Sequence, residues 1–266
     1  MDRDDVQWRG YWPACPTPFR RDGSFDADAM CALLEWYIGE GMHGVFVNGT
    51  TGEWFSQSFE ERRLVAETAI DAVGGRIPIV IGCTAYTAKE AAELGRHALA
   101  AGADGIGSTP PPYAKTYDDE TVQYYRDVSD GVDGPIMIYN WPHGTSVDIG
   151  PDLAERLVEV ENVVGLKDST PNDDQFYETV KRVVGRVRVF GPFMSSAGLD
   201  ILLEHGGDVS SAAARSSARR TRSTGRPCGA ATSRERAPMP DAPTSSFRSS
   251  GCPAAGAASS APTRAS

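Results

Sequence analysis

From residue 12 to residue 206, short apolar runs alternate with longer amphipathic ones. Seven of the apolar runs read as strands, at residues 11–19, 44–48, 78–83, 105–109, 135–140, 163–167 and 187–191. Several are nearly continuous, as in Ile77-Pro78-Ile79-Val80-Ile81-Gly82, which suits a parallel strand buried on both faces. A helical pattern follows each strand. Ser58 with Glu61, and Thr87 with Glu90, have the spacing of a capping box, in which hydroxyl and carboxylate satisfy exposed backbone N–H groups. Gly41, Gly102 and Gly206 sit where a left-handed cap closes a helix.

Strand and helix repeating at this interval predict an α/β fold. No Gly-x-Gly-x-x-Gly follows the first strand, which argues against a dinucleotide-binding open sheet. Polar and reactive residues gather instead at the C-terminal ends of several different strands, which in a barrel share one mouth. The expectation is therefore a (β/α)8 TIM barrel. Its apolar pattern stops at seven strands, so the eighth strand and the C-terminal helices are read as lacking, with the first and seventh strands left as open edges.

Composition changes abruptly after Asp208. Residues 209–266 contain 14 Ala, 13 Ser, 9 Arg and 6 Pro, with no Leu, Ile, Tyr or Trp, and cannot bury enough apolar surface to offset the entropy of ordering. Residues 1–208 are read as an incomplete barrel carrying the catalytic site, and 209–266 as a disordered tail. Two origins fit the tail: an arginine-rich appendage, or a frame-shifted translation of a G/C-rich coding region. Lack of interleaved aromatics argues against nucleic-acid binding by the tail.

Charge sharpens the division. Residues 1–208 hold 17 Lys and Arg against 34 Asp and Glu, so this part repels phosphate backbones and nucleic acid is not an expected partner. No apolar run approaches a membrane span, and no basic stretch followed by an apolar one opens the chain; a cytoplasmic location is expected. The five cysteines are scattered, without a C-x-x-C pair, and the four histidines lie far apart, so neither a disulfide framework nor a metal or cofactor is expected.

Four segments could carry chemistry. Lys167 ends the apolar strand Val163-Val164-Gly165-Leu166-Lys167, where burial would disfavour its charged form and leave an amine able to attack a ketone. On position alone it could equally cap the strand and pair with Asp168. Asn48-Gly49-Thr50-Thr51-Gly52-Glu53 exposes backbone N–H and hydroxyl groups together, as a carboxylate cradle requires, or is simply a strand-to-helix turn. Tyr139, at the end of the fifth strand in Ile138-Tyr139-Asn140-Trp141-Pro142, offers a phenol for proton transfer or an ordinary buried hydrogen bond. The stiff run Thr109-Pro110-Pro111-Pro112-Tyr113 brings a second tyrosine towards the mouth, unless it is only a structural turn.

Taken in order, the Gly-Thr-Thr-Gly-Glu turn, the Tyr-Asn-x-Pro segment and Gly165-Leu166-Lys167-Asp168 resemble the dihydrodipicolinate synthase and N-acetylneuraminate lyase family. The opening Pro13-Ala14-Cys15-Pro16-Thr17-Pro18-Phe19 is similar to that family's first strand. The resemblance implies a class I, Schiff-base-forming lyase acting on pyruvate or another 2-oxo acid, by aldol chemistry or dehydration. It implies Lys167 as the imine-forming lysine, Tyr139 as general acid/base, Thr51 in a proton relay with Tyr113 from a neighbouring subunit, and Gly49, Thr50, Thr51 and Gly191 as substrate-binding residues. A homodimer or homotetramer follows from the same likeness. Where synthases proper carry an arginine for the second substrate's carboxylate, this chain has Gly144, which points to a sugar acid or another pyruvate aldol pair. The competing expectation is a degenerate, inactive barrel that serves as a binding protein or is a damaged gene product.

Overall fold

The computed structural model describes residues 1–193, 196–207 and 209–212; for 196, 197 and 209–212 only the backbone is considered. Strands and helices alternate: β1 (Gly10–Pro13), α1 (Ala27–Gly39), β2 (Val45–Val47), α2 (Phe59–Val73), β3 (Ile79–Gly82), α3 (Ala88–Ala101), β4 (Gly105–Ser108) and α4 (Asp118–Asp130). After β5 (Ile136–Asn140) come the short α5 (Pro142–Thr145) and α6 (Pro151–Leu157). The series ends with β6 (Val163–Asp168), α7 (Asp173–Val183), β7 (Arg188–Gly191), α8 (Ser196–His205) and β8 (Val209–Ala212).

All seven expected strands form. The first is shorter than expected, since prolines at 13, 16 and 18 remove backbone donors. Ser58 and Glu61 make the complete capping box at the start of α2. Thr87 accepts the Glu90 amide, but the Glu90 carboxylate takes the Thr87 hydroxyl instead of its backbone N–H. Gly41, Gly102 and Gly206 all have positive φ, as their capping role requires.

An eighth strand exists, contrary to expectation. β8 pairs in parallel with β1 along Gly10–Val209 to Pro13–Ala212, and with β7 through Phe190–Val209 and Gly191–Ser210. The ring closes on the other side, where Tyr11 O accepts from His43 N at 3.1 Å and Cys15 N donates to Phe46 O at 2.8 Å. The sheet ladder is built from backbone groups, so the segment Val209-Ser210-Ser211-Ala212 can join it without the apolar run by which strands are recognised. Thus the expected open edges of β1 and β7 are covered, and the barrel passes the expected boundary at 208. One compact unit spans Met1–Ala213. The expected disorder after residue 212, and the C-terminal helices read as lacking, fall outside the described residues.

Two apolar clusters hold this unit. The larger lies between strands and helices; the smaller fills the barrel with Val6, Trp8, Trp12, Phe46, Val80, Met137, Val164 and Phe190. Trp8 enters from the N-terminal segment, and glycine at 105 leaves the space it needs, because a Cβ there would come within 2.5 Å of its ring. Buried Arg188 ties that segment down, donating from Nε to Arg3 O at 2.7 Å and pairing with Asp4 at 3.0 Å. Among the described residues no helix is long and apolar enough to cross a membrane.

Candidate active site

A pocket at the C-terminal end of the strands is lined by Gly49, Thr50, Thr51, Tyr139 and Lys167, with Phe46, Thr84 and Met137 among its other walls. Four of the predicted segments therefore reduce to three that meet and one that does not.

The register of β5 against β6 brings the two reactive side chains together. Tyr139 and Lys167 are cross-strand partners. Lys167 is only 6% exposed, and its Nζ lies 3.4 Å from the centre of the Tyr139 ring. Phe46 supplies a second aromatic face, 6.0 Å from the same nitrogen. A cation over a ring face is attracted by the ring's quadrupole, so the phenol holds the lysine head in the lumen. Burial pushes the Tyr139 phenol up, but the Lys167 charge and hydrogen bonds with Ser169, Lys167 and Thr50 outweigh it, and the net direction is downward.

Asp168 does not pair with Lys167. Being the next residue along β6, it faces the other way, between strand and helix. There its Oδ1 accepts from Asn140 Nδ2 and from Thr170 N, both at 2.8 Å. Burial raises its carboxyl to about 6, and its Oδ2 is buried without a hydrogen-bond partner.

The Gly-Thr-Thr turn is braced from below. Asn48 and Glu53 bound it in left-handed backbone conformations, uncommon for residues with a Cβ. Asn48 Nδ2 donates to Arg62 O at 2.8 Å. At the other end, Gly52 O accepts from Thr17 Oγ1 and Gln57 Nε2, each at 2.7 Å. Gly82 of β3 passes so close beneath that a Cβ there would lie 2.1 Å from Asn48 O. This packing leaves Gly49, Thr50 and Thr51 facing the pocket.

Two expected residues lie elsewhere. Gly191 is not among the pocket-lining residues; its missing Cβ makes room for the Phe176 ring, which would be only 2.2 Å away. Tyr113 is 94% exposed with φ at 82°, so it reaches no group in its own pocket. Sequence reasoning assigned no role to Phe46, Thr84 or Ser169. Thr84 and Ser169 each lie just past a strand's C-terminal end, and that position was the available signal; Phe46 lies within an apolar strand and carries none.

The sequence profile of the dihydrodipicolinate synthetase family matches residues 7–225. The chain belongs to that family. An "Uncharacterized DapA-like lyase" of Rhizobium meliloti is 40% identical over 194 residues, 72% of this chain and 64% of that protein. A 4-hydroxy-tetrahydrodipicolinate synthase of Thiobacillus denitrificans is 39% identical over 175 residues, covering 66% and 59%. This dihydrodipicolinate synthetase family chain thus spans less than two thirds of the length of these curated relatives. Among solved structures, a dihydrodipicolinate synthase from Acinetobacter baumannii complexed with pyruvate superposes with a TM-score of 0.72 at 32% identity, covering 77% of this chain and 69% of that one. A prophage protein of the dihydrodipicolinic acid synthase family from E. coli K12, also in complex with pyruvate, gives 0.71 at 32% identity, covering 77% and 70%.

The Tyr139-Asn140-Trp141-Pro142 segment folds back on itself just past the pocket. The Trp141 ring packs directly on Gly144, so closely that a Cβ at 144 would fall 1.7 Å from it. Any side chain at 144 would have to displace the indole.

Proposed function

We propose that this chain is a Schiff-base-forming lyase acting on pyruvate or a closely related 2-oxo acid. The observation that carries the reading is the buried Lys167 Nζ held over Tyr139 in a pocket whose rim is Gly49, Thr50 and Thr51. Membership of the family and the pyruvate complexes of its structural relatives support it.

In this mechanism the Thr50 and Thr51 hydroxyls and the turn's amides hold the substrate carboxylate, which directs the keto carbon to Lys167. The nitrogen lone pair attacks that carbon, and a proton passes to the former keto oxygen. Tyr139 supplies the second proton that lets this oxygen leave as water, giving a protonated imine. The imine is an electron sink, so the neighbouring carbon can release a proton to form an enamine. The enamine then adds to an aldehyde, or an aldol bond breaks in reverse, or a β-hydroxyl leaves as water. Hydrolysis of the imine returns the amine. Thr51 relays protons between Tyr139 and Tyr113, which a second copy of the chain supplies across a homodimer, alone or within a tetramer. With Gly144 under Trp141, the acceptor side has no guanidinium at that position for a second carboxylate, which favours a sugar-derived or other non-anionic aldehyde.

Borohydride reduction with pyruvate tests the reading. A covalent mass increase on the Lys167 peptide, lost in Lys167→Ala, is expected. A folded protein that traps no 2-oxo acid, or that traps it equally well as Lys167→Ala, would reject it.

A further inference from the structure

The β5–β6 ladder changes register along its length. Ile136 pairs with Val163, but the next residue, Met137, pairs with Gly165, so Val164 is an extra residue on β6. Beyond this bulge Ile138 faces Leu166, Tyr139 faces Lys167 and Asn140 faces Asp168. Continued without the bulge, the first pairing would set Lys167 opposite Asn140. A slip of one residue sends every later side chain to the other face, which would separate Lys167 from Tyr139.

The last pair of the ladder is joined by side chains as well as backbone. Asp168 Oδ1 accepts from Asn140 Nδ2, and Asn140 Oδ1 accepts from Ile149 N at 3.0 Å. Asn140 is wholly buried and Asp168 is 2% exposed, so separating them would strand a buried amide and a buried carboxylate. That bond can form only in the bulged register. We infer that Asn140 and Asp168 are positioning residues: their buried hydrogen bond selects the register that places Lys167 over Tyr139.

The inference rests on the imine reading, and two measurements keep the two apart. The first is the rate of borohydride trapping with pyruvate. Asn140→Ala and Asp168→Ala should each slow it on the order of tenfold to a hundredfold, as a displacement of about 1 Å does to an oriented reaction. The double variant should be slowed by much less than the product of the two single effects, because both remove the shared Asn140–Asp168 bond. Asp168→Asn keeps the Oδ1 acceptor and should trap within about threefold of the parent chain, whereas a role through negative charge would drop it to the level of the alanine variants. The second measurement is trinitrobenzenesulfonate labelling of Lys167, read by peptide mass, which needs no keto acid. Labelling should change in both alanine variants and stay near the parent in Asp168→Asn. Parent protein that traps no pyruvate rejects the imine reading while labelling still tests the clamp. Unchanged labelling in the alanine variants, or loss in Asp168→Asn equal to theirs, overturns the clamp. Should the alanine variants fail to fold, Asn140→Leu, which keeps the volume and removes the Nδ2 donor, takes their place: altered Lys167 labelling supports the clamp and unchanged labelling overturns it.

Discussion

Lys167 Nζ and the Tyr139 ring centre lie 3.4 Å apart, on adjacent strands whose register makes the two residues direct partners. The amine meets the ring face and also hydrogen-bonds the phenol, whose oxygen is shared with Ser169 and Thr50. Ring and hydroxyl therefore both hold the amine, but only the hydroxyl can pass a proton. Tyr139→Phe keeps the face under the amine and removes the proton carrier together with its hydrogen bonds, the one to Lys167 included. Pyruvate trapping should slow by roughly 10²–10⁴-fold, the usual worth of general acid–base catalysis, while stability falls by only about 1 kcal/mol for the lost hydrogen bonds. Single-turnover trapping beside urea unfolding checks this; equal trapping rates would remove Tyr139 from the proton path.

Asp168 gives the folded state a pH dependence of known sign. Burial raises its carboxyl from the model-peptide 3.8 to about 6, so the folded chain holds this proton more tightly than the unfolded chain does. The stabilising contribution is fully present below the unfolded value and is lost as pH rises through about 6. By that shift, Asp168→Asn should gain on the order of 3 kcal/mol relative to the parent as pH rises from about 4 to about 7, and should keep that advantage at higher pH. Urea melts across the range read it. A stability difference that does not vary with pH would contradict the raised carboxyl.

Seven strands, the left-handed caps and the meeting of Lys167, Tyr139, Thr50 and Thr51 were legible in the sequence, because apolar runs, cap chemistry and strand-end position each leave a local mark. β8 was not. Its Val209-Ser210-Ser211-Ala212 enters the ring through backbone hydrogen bonds, which composition does not record. The bulge at Val164 was equally hidden, since an extra valine in an apolar strand looks like any other. For the same reason the sequence could not say that Asp168 faces Asn140 instead of Lys167. Gly191 resembled a site glycine by position, but its lack of a side chain serves Phe176.

The Gly-Thr-Thr turn, proposed to hold the substrate carboxylate, rests on Gly82, which also lines the pocket. A methyl group there would sit 2.1 Å from the Asn48 carbonyl oxygen, and backbone cannot move aside as a side chain can. Gly82→Ala should lift the turn that carries Thr50 and Thr51, costing about 1–3 kcal/mol of stability and weakening pyruvate capture more than tenfold. Thermal unfolding and the pyruvate concentration for half-maximal trapping measure the two effects. Normal capture would show that the turn's position is not set by its packing on β3.

Tyr113 supplies the sharpest test of assembly. Its backbone is held at φ 82° and its side chain is 94% exposed, so any role in the proton relay must be played in another copy's pocket. Strain of this kind, of order 1–3 kcal/mol, persists where something else benefits from it. Tyr113→Phe alone should slow turnover, and Lys167→Ala alone should abolish it. Mixed and re-associated, the two inactive or weakened chains form hybrids in which an intact Lys167 meets an intact Tyr113 from its neighbour. Such hybrids should recover parent-like activity at one pocket of each pair. If Tyr113 worked within its own chain, that pocket would still carry the Tyr113→Phe defect, and mixing would raise activity no further than the Tyr113→Phe protein contributes by itself.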